Sequence, residues 1–258
     1  MASAPPSSRE AHKALAASQF ARLGGATRII VAAIAIALML RTVAYEPFNV
    51  PSASMLPTLA AGDYLFVAKW PYGLSRYSPP VTLPWAEGRF GGHPPSRGDV
   101  VVFKSPRDNR TDFIKRIIGL PGDRVRMTGG RIELNGVVVA KVAAGSQRVT
   151  LPAGVVCRAP DGDGCRSPRF AETLAGHRYL VLDQVSGGPG DDTPLVTVPP
   201  GHYFVAGDNR DDSADSRLAI ADGGIGMVPA ANLLGRAEII FFSMSSWRFD
   251  FDRVGTPL

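Results

Sequence analysis

Apolar positions along the chain fall into two regimes. From Ile29 to Leu40 the sequence reads IIVAAIAIALML with no polar residue, bracketed by Arg28 and Arg41, and Thr42-Val43-Ala44-Tyr45 continues fairly apolar. After about residue 60 the aliphatic runs are short, and 28 Gly and 22 Pro punctuate the chain, which predicts strands and turns rather than long helices. YLFVAK, RGDVVVFKSP, DFIKRIIGLPGDRVRM and RIELNGVVVAKV read as successive strands broken by Gly-Asp and Gly-Gly turns. Residues 70–97 are dense in Pro, Gly and aromatics and read as a long surface loop or hairpin. Trp70, Tyr72, Tyr77, Trp85 and Phe90 there also suit contact with a membrane interface. Residues 141–200 read as irregular, an inserted subdomain of hairpins. GHYFVAGDNRDDSADSR and GMVPAANLLGRAEIIFFSMS then supply a strand, a charged loop and a closing strand.

The fold class expected is mostly β: an antiparallel catalytic core with an inserted β-rich subdomain, preceded by one N-terminal transmembrane helix. The boundaries expected are a tail over 1–22, an anchor over 23–45, a catalytic domain over 46–130 and 200–258, and an insert over 131–199.

The strict apolar core is short for a span, since crossing the hydrocarbon takes about twenty residues. Counting from Leu23 to Ala44 reaches that length if Arg28 and Arg41 snorkel toward opposite headgroup layers. A buried core helix fits poorly with a run apolar on all faces. A cleaved secretory peptide fits the basic start, but Arg41 stands where small residues should begin and no good A-x-A site follows. The reading taken is an uncleaved single-pass anchor. Arg9, Lys13, Arg22 and Arg28 against Glu10 then hold the N-terminus in the cytoplasm and put the remainder on the outer side of the inner membrane.

Composition narrows the class further. An apolar fraction of 45% over 258 residues is too low for a multi-spanning protein. A net charge of +5 without a Lys/Arg block gives no support to nucleic-acid binding, while a small basic excess suits nearby anionic lipid. Cys157 and Cys165 have no His pair beside them for tetrahedral zinc. They close a disulfide loop in an oxidising compartment or stay reduced in cytosol.

The candidate chemistry starts at Ser54, in Pro51-Ser52-Ala53-Ser54-Met55-Leu56-Pro57, where small residues give access and prolines stiffen the backbone. A serine nucleophile needs a base. His12, His93, His177 and His202 form no evident triad, and no G-x-S-x-G elbow occurs. Lys115, in DFIKRII, is the alternative. On a strand it shares a face with Phe113 and Ile117, and lost hydration lowers a lysine pKa toward the range where the neutral amine accepts a proton. Without that desolvation it is an edge lysine snorkelling beside Arg116. Gly207 to Arg217 combines hydroxyls, carboxylates and two arginines, a solvated turn or a fixed polar wall.

Together PSASMLPTL, GDYLFV, RGDVVVFKSP…DFIKRIIGLPGD and GDNRDDSADSR resemble the ordered sequence boxes of bacterial type I signal peptidases, and YEPFNVPSASM after an apolar segment resembles that family too. The resemblance covers about residues 28–125 and 200–245. It implies Ser54 as nucleophile, Lys115 as general base, and Ser52 with the Ser54 N–H as oxyanion hole. It implies Ser213 orienting the lysine, and Asp215 with Arg217 supporting the site. Phe48, Val50, Pro51, Met55, Phe113 and Ile114 would line shallow pockets for small substrate residues. Implied partners are signal-peptide-bearing preproteins, cut after Ala-x-Ala-like sites, and membrane lipid; no metal or cofactor is implied. Two features depart from the family pattern: Ala53 stands where a glycine is usual, and residues 130–200 match loosely, with Cys157–Cys165 resembling a disulfide loop of some relatives. A maturation peptidase for one secreted substrate, a self-cleaving regulator and a non-catalytic anchored β-domain are the rival readings. The second calls for a cytosolic chain with a DNA-binding N-terminus, which residues 1–45 do not resemble.

Overall fold

The computed structural model of the chain describes residues 27–79, 82, 88–149, 160–161, 164–245 and 248–258. Residues 27–43 form a helix whose aliphatic side chains are exposed. It ends two residues before β1 (Tyr45–Asn49), short of the expected limit at 45. Among the described residues no helix is long and apolar enough to cross a membrane. Positions 23–26 of the expected anchor, and the whole expected tail, lie outside the described residues.

In chain order β1 is followed by β2 (Asp63–Ala68), β3 (Leu74–Ser75), β4 (Arg89–Phe90), β5 (Val100–Lys104), β6 (Asp112–Gly119), β7 (Arg124–Thr128), β8 (Arg131–Leu134) and β9 (Val137–Val138). Then come β10 (Ala140–Val149), β11 (Pro160–Asp161), β12 (Gly164–Leu174), β13 (His177–Leu182), β14 (Val196–Thr197), β15 (His202–Ala206), β16 (Val228–Pro229), β17 (Leu233–Ser245) and β18 (Arg248–Phe249). The main sheet runs β1-β2-β17-β5-β6-β15-β16, with β18 on β17 and antiparallel pairing throughout. Between β6 and its neighbour β15 the chain builds two further sheets, β14-β7-β8-β9 and β10-β12-β11 with β13 on β12. The mostly β, antiparallel class is therefore observed.

Local sequence explains the elements. The VVVF run of β5 is apolar at every position because both faces are covered. Val100 and Val102 pack with Met55, Leu59 and Leu65 on one side, Val101 and Phe103 with Ile117, Val205 and Leu233 on the other. Asn135-Gly136 joins β8 to β9 with φ of 54° and 83°, the left-handed pair a tight hairpin turn requires.

Two expectations need correction. Residues 141–200 are not irregular: β10 and β12 form a long hairpin pair of 10 and 11 residues. The sequence hides β10 because AKVAAGSQRV has small and polar residues on a mostly exposed strand, held by its neighbour rather than by β propensity. Tyr72 and Tyr77 also cannot touch lipid. They are buried, and the Tyr72 hydroxyl donates to Asp99 Oδ2 at 2.7 Å. Trp70 and Phe90 are exposed, and Trp85 lies outside the described residues.

Candidate active site

Ser54 sits in the connection between β1 and β2. The base of that connection is closed by Val50 N–H to Asp63 O at 2.8 Å and Gly62 N–H to Val50 O at 2.9 Å. Val50, Met55 and Leu59 point down into the core and fix the loop from beneath. Two serines are left facing up, with Ser52 Oγ 3.2 Å from Ser54 Oγ.

Lys115 comes from β6 and is buried, at 2% exposure. Its Nζ lies 2.6 Å from Ser54 Oγ and 2.9 Å from the Ile114 carbonyl, with the Phe113 ring 5.5 Å away. Burial pulls the ammonium down to about 8, although Asp215, Asp208 and Asp212 pull it upward. No other group donates to or accepts from Ser54 Oγ among the described residues. The Ser54 N–H has no acceptor among them either, which leaves it available to a developing oxyanion. Among the described residues no group of three His, Cys, Asp or Glu side chains could hold a metal.

Residues 207–217 close the site from the side of β15. Asn209 N–H donates to Ser54 O at 3.0 Å and Asn209 Nδ2 to Ala53 O at 3.1 Å. Gly207 lies so close that an added Cβ would stand 2.3 Å from Ser213 Oγ and 2.5 Å from Ser54 O. Asp215 is fully buried; the Arg217 guanidinium, at 2.8 and 2.9 Å, and the Gly207 N–H, at 2.9 Å, hold its carboxyl below the usual range against the cost of burial. Ser213 Oγ makes no hydrogen bond of standard geometry to Lys115 or any other group, though it lies near enough to Asp215 to favour the ionised carboxylate.

A groove of about 330 Å³ opens over the serines. Phe48, Pro51, Phe113, Ile114 and Ala214 line it, with Thr111, Asp112 and Asp212 adding polar groups. Of the six pocket residues read from sequence, four reach this groove. Val50 and Met55 do not, being 1% and 0% exposed in the core below.

Sequence reasoning missed Arg116, Asp208 and Asn209. Arg116 forks onto Asp208, Nε to Oδ1 at 2.8 Å and Nη2 to Oδ2 at 2.7 Å, and Thr58 Oγ1 donates to the same carboxylate at 2.5 Å. One signal was available: an arginine directly after a buried lysine on a strand points the other way, and a buried guanidinium needs a carboxylate. Cys165 is disulfide-bonded and packs with Leu182 and Leu56; Cys157 lies outside the described residues.

Comparison with known proteins shows which family the chain resembles. A family described as "Signal peptidase, peptidase S26" matches residues 23–242. The signal peptidase I of Rickettsia typhi (strain ATCC VR-144 / Wilmington) is 36% identical over 228 residues, spanning 85% of this chain and 80% of that protein. That of Rickettsia prowazekii (strain Madrid E) is 35% identical over the same shares. A crystal structure of a signal peptidase I from Enterococcus faecalis V583 is 27% identical, covers 56% of this chain and 97% of its own, and superposes with a TM-score of 0.31.

Proposed function

The chain belongs to the signal peptidase I family of S26 peptidases, and on that premise we propose that it removes signal peptides from exported preproteins with Ser54 as nucleophile and Lys115 as general base. The observation that carries this reading is the 2.6 Å approach of a buried Lys115 amine to Ser54 Oγ.

Neutral Lys115 takes the Ser54 proton as Oγ bonds to the scissile carbonyl carbon. The resulting oxyanion is stabilised by the free Ser54 N–H and the Ser52 hydroxyl. The ammonium then returns its proton to the leaving amine as the C–N bond breaks. Water, deprotonated by the same amine, hydrolyses the acyl-ester and restores Ser54. Ser213 is read as a hydroxyl that turns to the amine during this cycle, with Asp215 and Arg217 holding the loop beneath it. Phe48, Pro51, Phe113 and Ile114 give the groove an apolar wall, which is read as a seat for small residues of the Ala-x-Ala kind. The substrate adds as an extended strand.

The helix over 27–43 is read as the described part of an anchor over 23–45, with the catalytic domain on the outer face of the inner membrane and residues 131–199 as a subdomain carried on it. An aromatic ladder beginning at β1 supports contact with lipid: Tyr45–Phe66, Phe66–Phe241, Tyr64–Phe241, Tyr64–Phe242, Phe242–Phe249 and Phe249–Phe251, with centroids 4.3–6.3 Å apart. Purified protein incubated with a preprotein tests the activity. Wild type cleaves; Ser54→Ala and Lys115→Ala do not. Processing by Ser54→Ala, or none by wild type, sinks the reading.

A further inference from the structure

The serine's backbone is braced by Asn209, and what braces Asn209 comes from a different sheet. Arg210, the next residue, donates its N–H to Leu182 O on β13 at 2.9 Å, and Leu182 N–H returns a bond to Asp208 O at 2.8 Å. The Arg210 side chain runs back across the loop. Its Nε donates to Gly207 O at 3.2 Å and its Nη2 to Glu172 Oε2, on β12, at 2.5 Å. The Tyr179 hydroxyl, from β13, donates to the same oxygen at 2.8 Å, and its ring lies 4.3 Å from the Arg116 guanidinium. Arg217 Nη2 holds the Arg210 carbonyl at 2.7 Å. Glu172 is 1% exposed and Arg210 4%.

Stability does not account for this pair. A buried ion pair is often no more stabilising than apolar side chains of similar volume, and removing one partner is costly only because the other is stranded. Here Glu172 Oε1 and Arg210 Nη1 are both buried with no hydrogen-bond partner, an added cost. What the pair does supply is direction. It ties one end of residues 207–210 to β12, as Asp208–Arg116 ties the other to β6, and Asn209 lies between the two ties with both its donors on the Ala53 and Ser54 carbonyls.

We propose that Glu172, acting through Arg210 with Tyr179 as its second support, is a positioning residue for the serine: the sheet inserted between β6 and β15 sets where the Ser54 backbone sits. The proposal rests on the Ser54–Lys115 reading. It makes the inserted strands part of the catalytic apparatus rather than a decoration.

The test uses the full chain on a preprotein, with kcat, KM, pH profile and thermal unfolding recorded for Glu172→Gln, Tyr179→Phe and the double variant Glu172→Leu/Arg210→Met. Expected are a fall in kcat of about tenfold for Glu172→Gln and about threefold for Tyr179→Phe, with KM within about twofold, because displaced reacting atoms slow the chemical step. The pH midpoint set by Lys115, near 8, stays in place. The double variant keeps or raises its melting temperature while kcat stays about tenfold down. Should Glu172→Gln fail to fold, the other two variants decide. Wild-type kcat in the folded double variant, or losses confined to melting temperature, overturns the proposal. A wild type that cleaves nothing, or an active Ser54→Ala, overturns instead the dyad on which it rests.

Discussion

Lys115 Nζ and Ser54 Oγ approach to 2.6 Å, and the amine is pulled down to about 8 by burial. Only the neutral amine accepts the hydroxyl proton. Activity is therefore expected to be low at pH 6, to rise through about 8, and to level off one to two units above. A kcat/KM profile over pH 6–11 checks this. A limb centred near 10 would mean a solvated lysine.

The same shift makes a stability prediction that runs in the same direction with pH but over a higher window. Between about 8 and 10.5 the unfolded chain holds a proton on Lys115 that the folded chain has lost, so stability rises with pH across that window. Below it the folded protein carries the whole penalty, of order 3 kcal/mol at 1.36 kcal/mol per pKa unit. Lys115→Met should abolish cleavage yet stabilise the fold by about 2 kcal/mol at pH 7, after loss of two hydrogen bonds, and by less at pH 10. Denaturant unfolding at both pH values is the measurement. A variant less stable than wild type at pH 7 contradicts the assigned burial cost.

Gly207 gives a prediction based on space. A methyl there would collide with Ser213 Oγ and the Ser54 carbonyl. Gly207→Ala is expected to lose about a hundredfold in kcat/KM for a stability cost of only about 1–3 kcal/mol, since a small displacement disturbs the chemistry more than the packing. Near-wild-type turnover would show that the loop has room to shift.

How much of this was legible in the sequence depends on how far the cause lies from the residue. Lys115 flanked by Phe113 and Ile117 is open to two readings within one strand, a desolvated amine or a snorkelling edge lysine, and the lack of a usable histidine favours it as the candidate base for Ser54. Val50 and Met55 belong to the same six-residue stretch around Ser54 as Pro51 and Ser52, but the chain's direction at each position decides between core and groove, and sequence adjacency does not show it. Asn209, Asp208 and Arg116 come together only because β15 pairs with β6 across the long excursion through β7–β14. No local pattern encodes that meeting. The same holds for Tyr72 and Tyr77, whose Pro- and Gly-rich surroundings read as surface although their rings complete two core clusters.

Burial, rather than hydrogen-bond count, should decide the worth of the site's ion pairs. Arg116–Asp208 and Arg97–Asp123 share one two-pronged geometry, with contacts of 2.7 and 2.8 Å in the first and 2.7 and 3.0 Å in the second. They differ in exposure: side chains are 7% and 1% exposed in the first, 27% and 8% in the second. Asp208→Asn leaves Arg116 charged and largely buried, a loss of about 3–5 kcal/mol. Asp123→Asn leaves Arg97 able to rehydrate and should cost about 1 kcal/mol for the ion pair itself. Asp208→Asn should also slow cleavage, because Asn209 loses its anchor next door, while Asp123→Asn should leave kcat within about twofold. Paired unfolding curves and turnover numbers for the two variants test both halves of the argument. Equal losses of stability would mean that the Arg116 side reaches solvent after all.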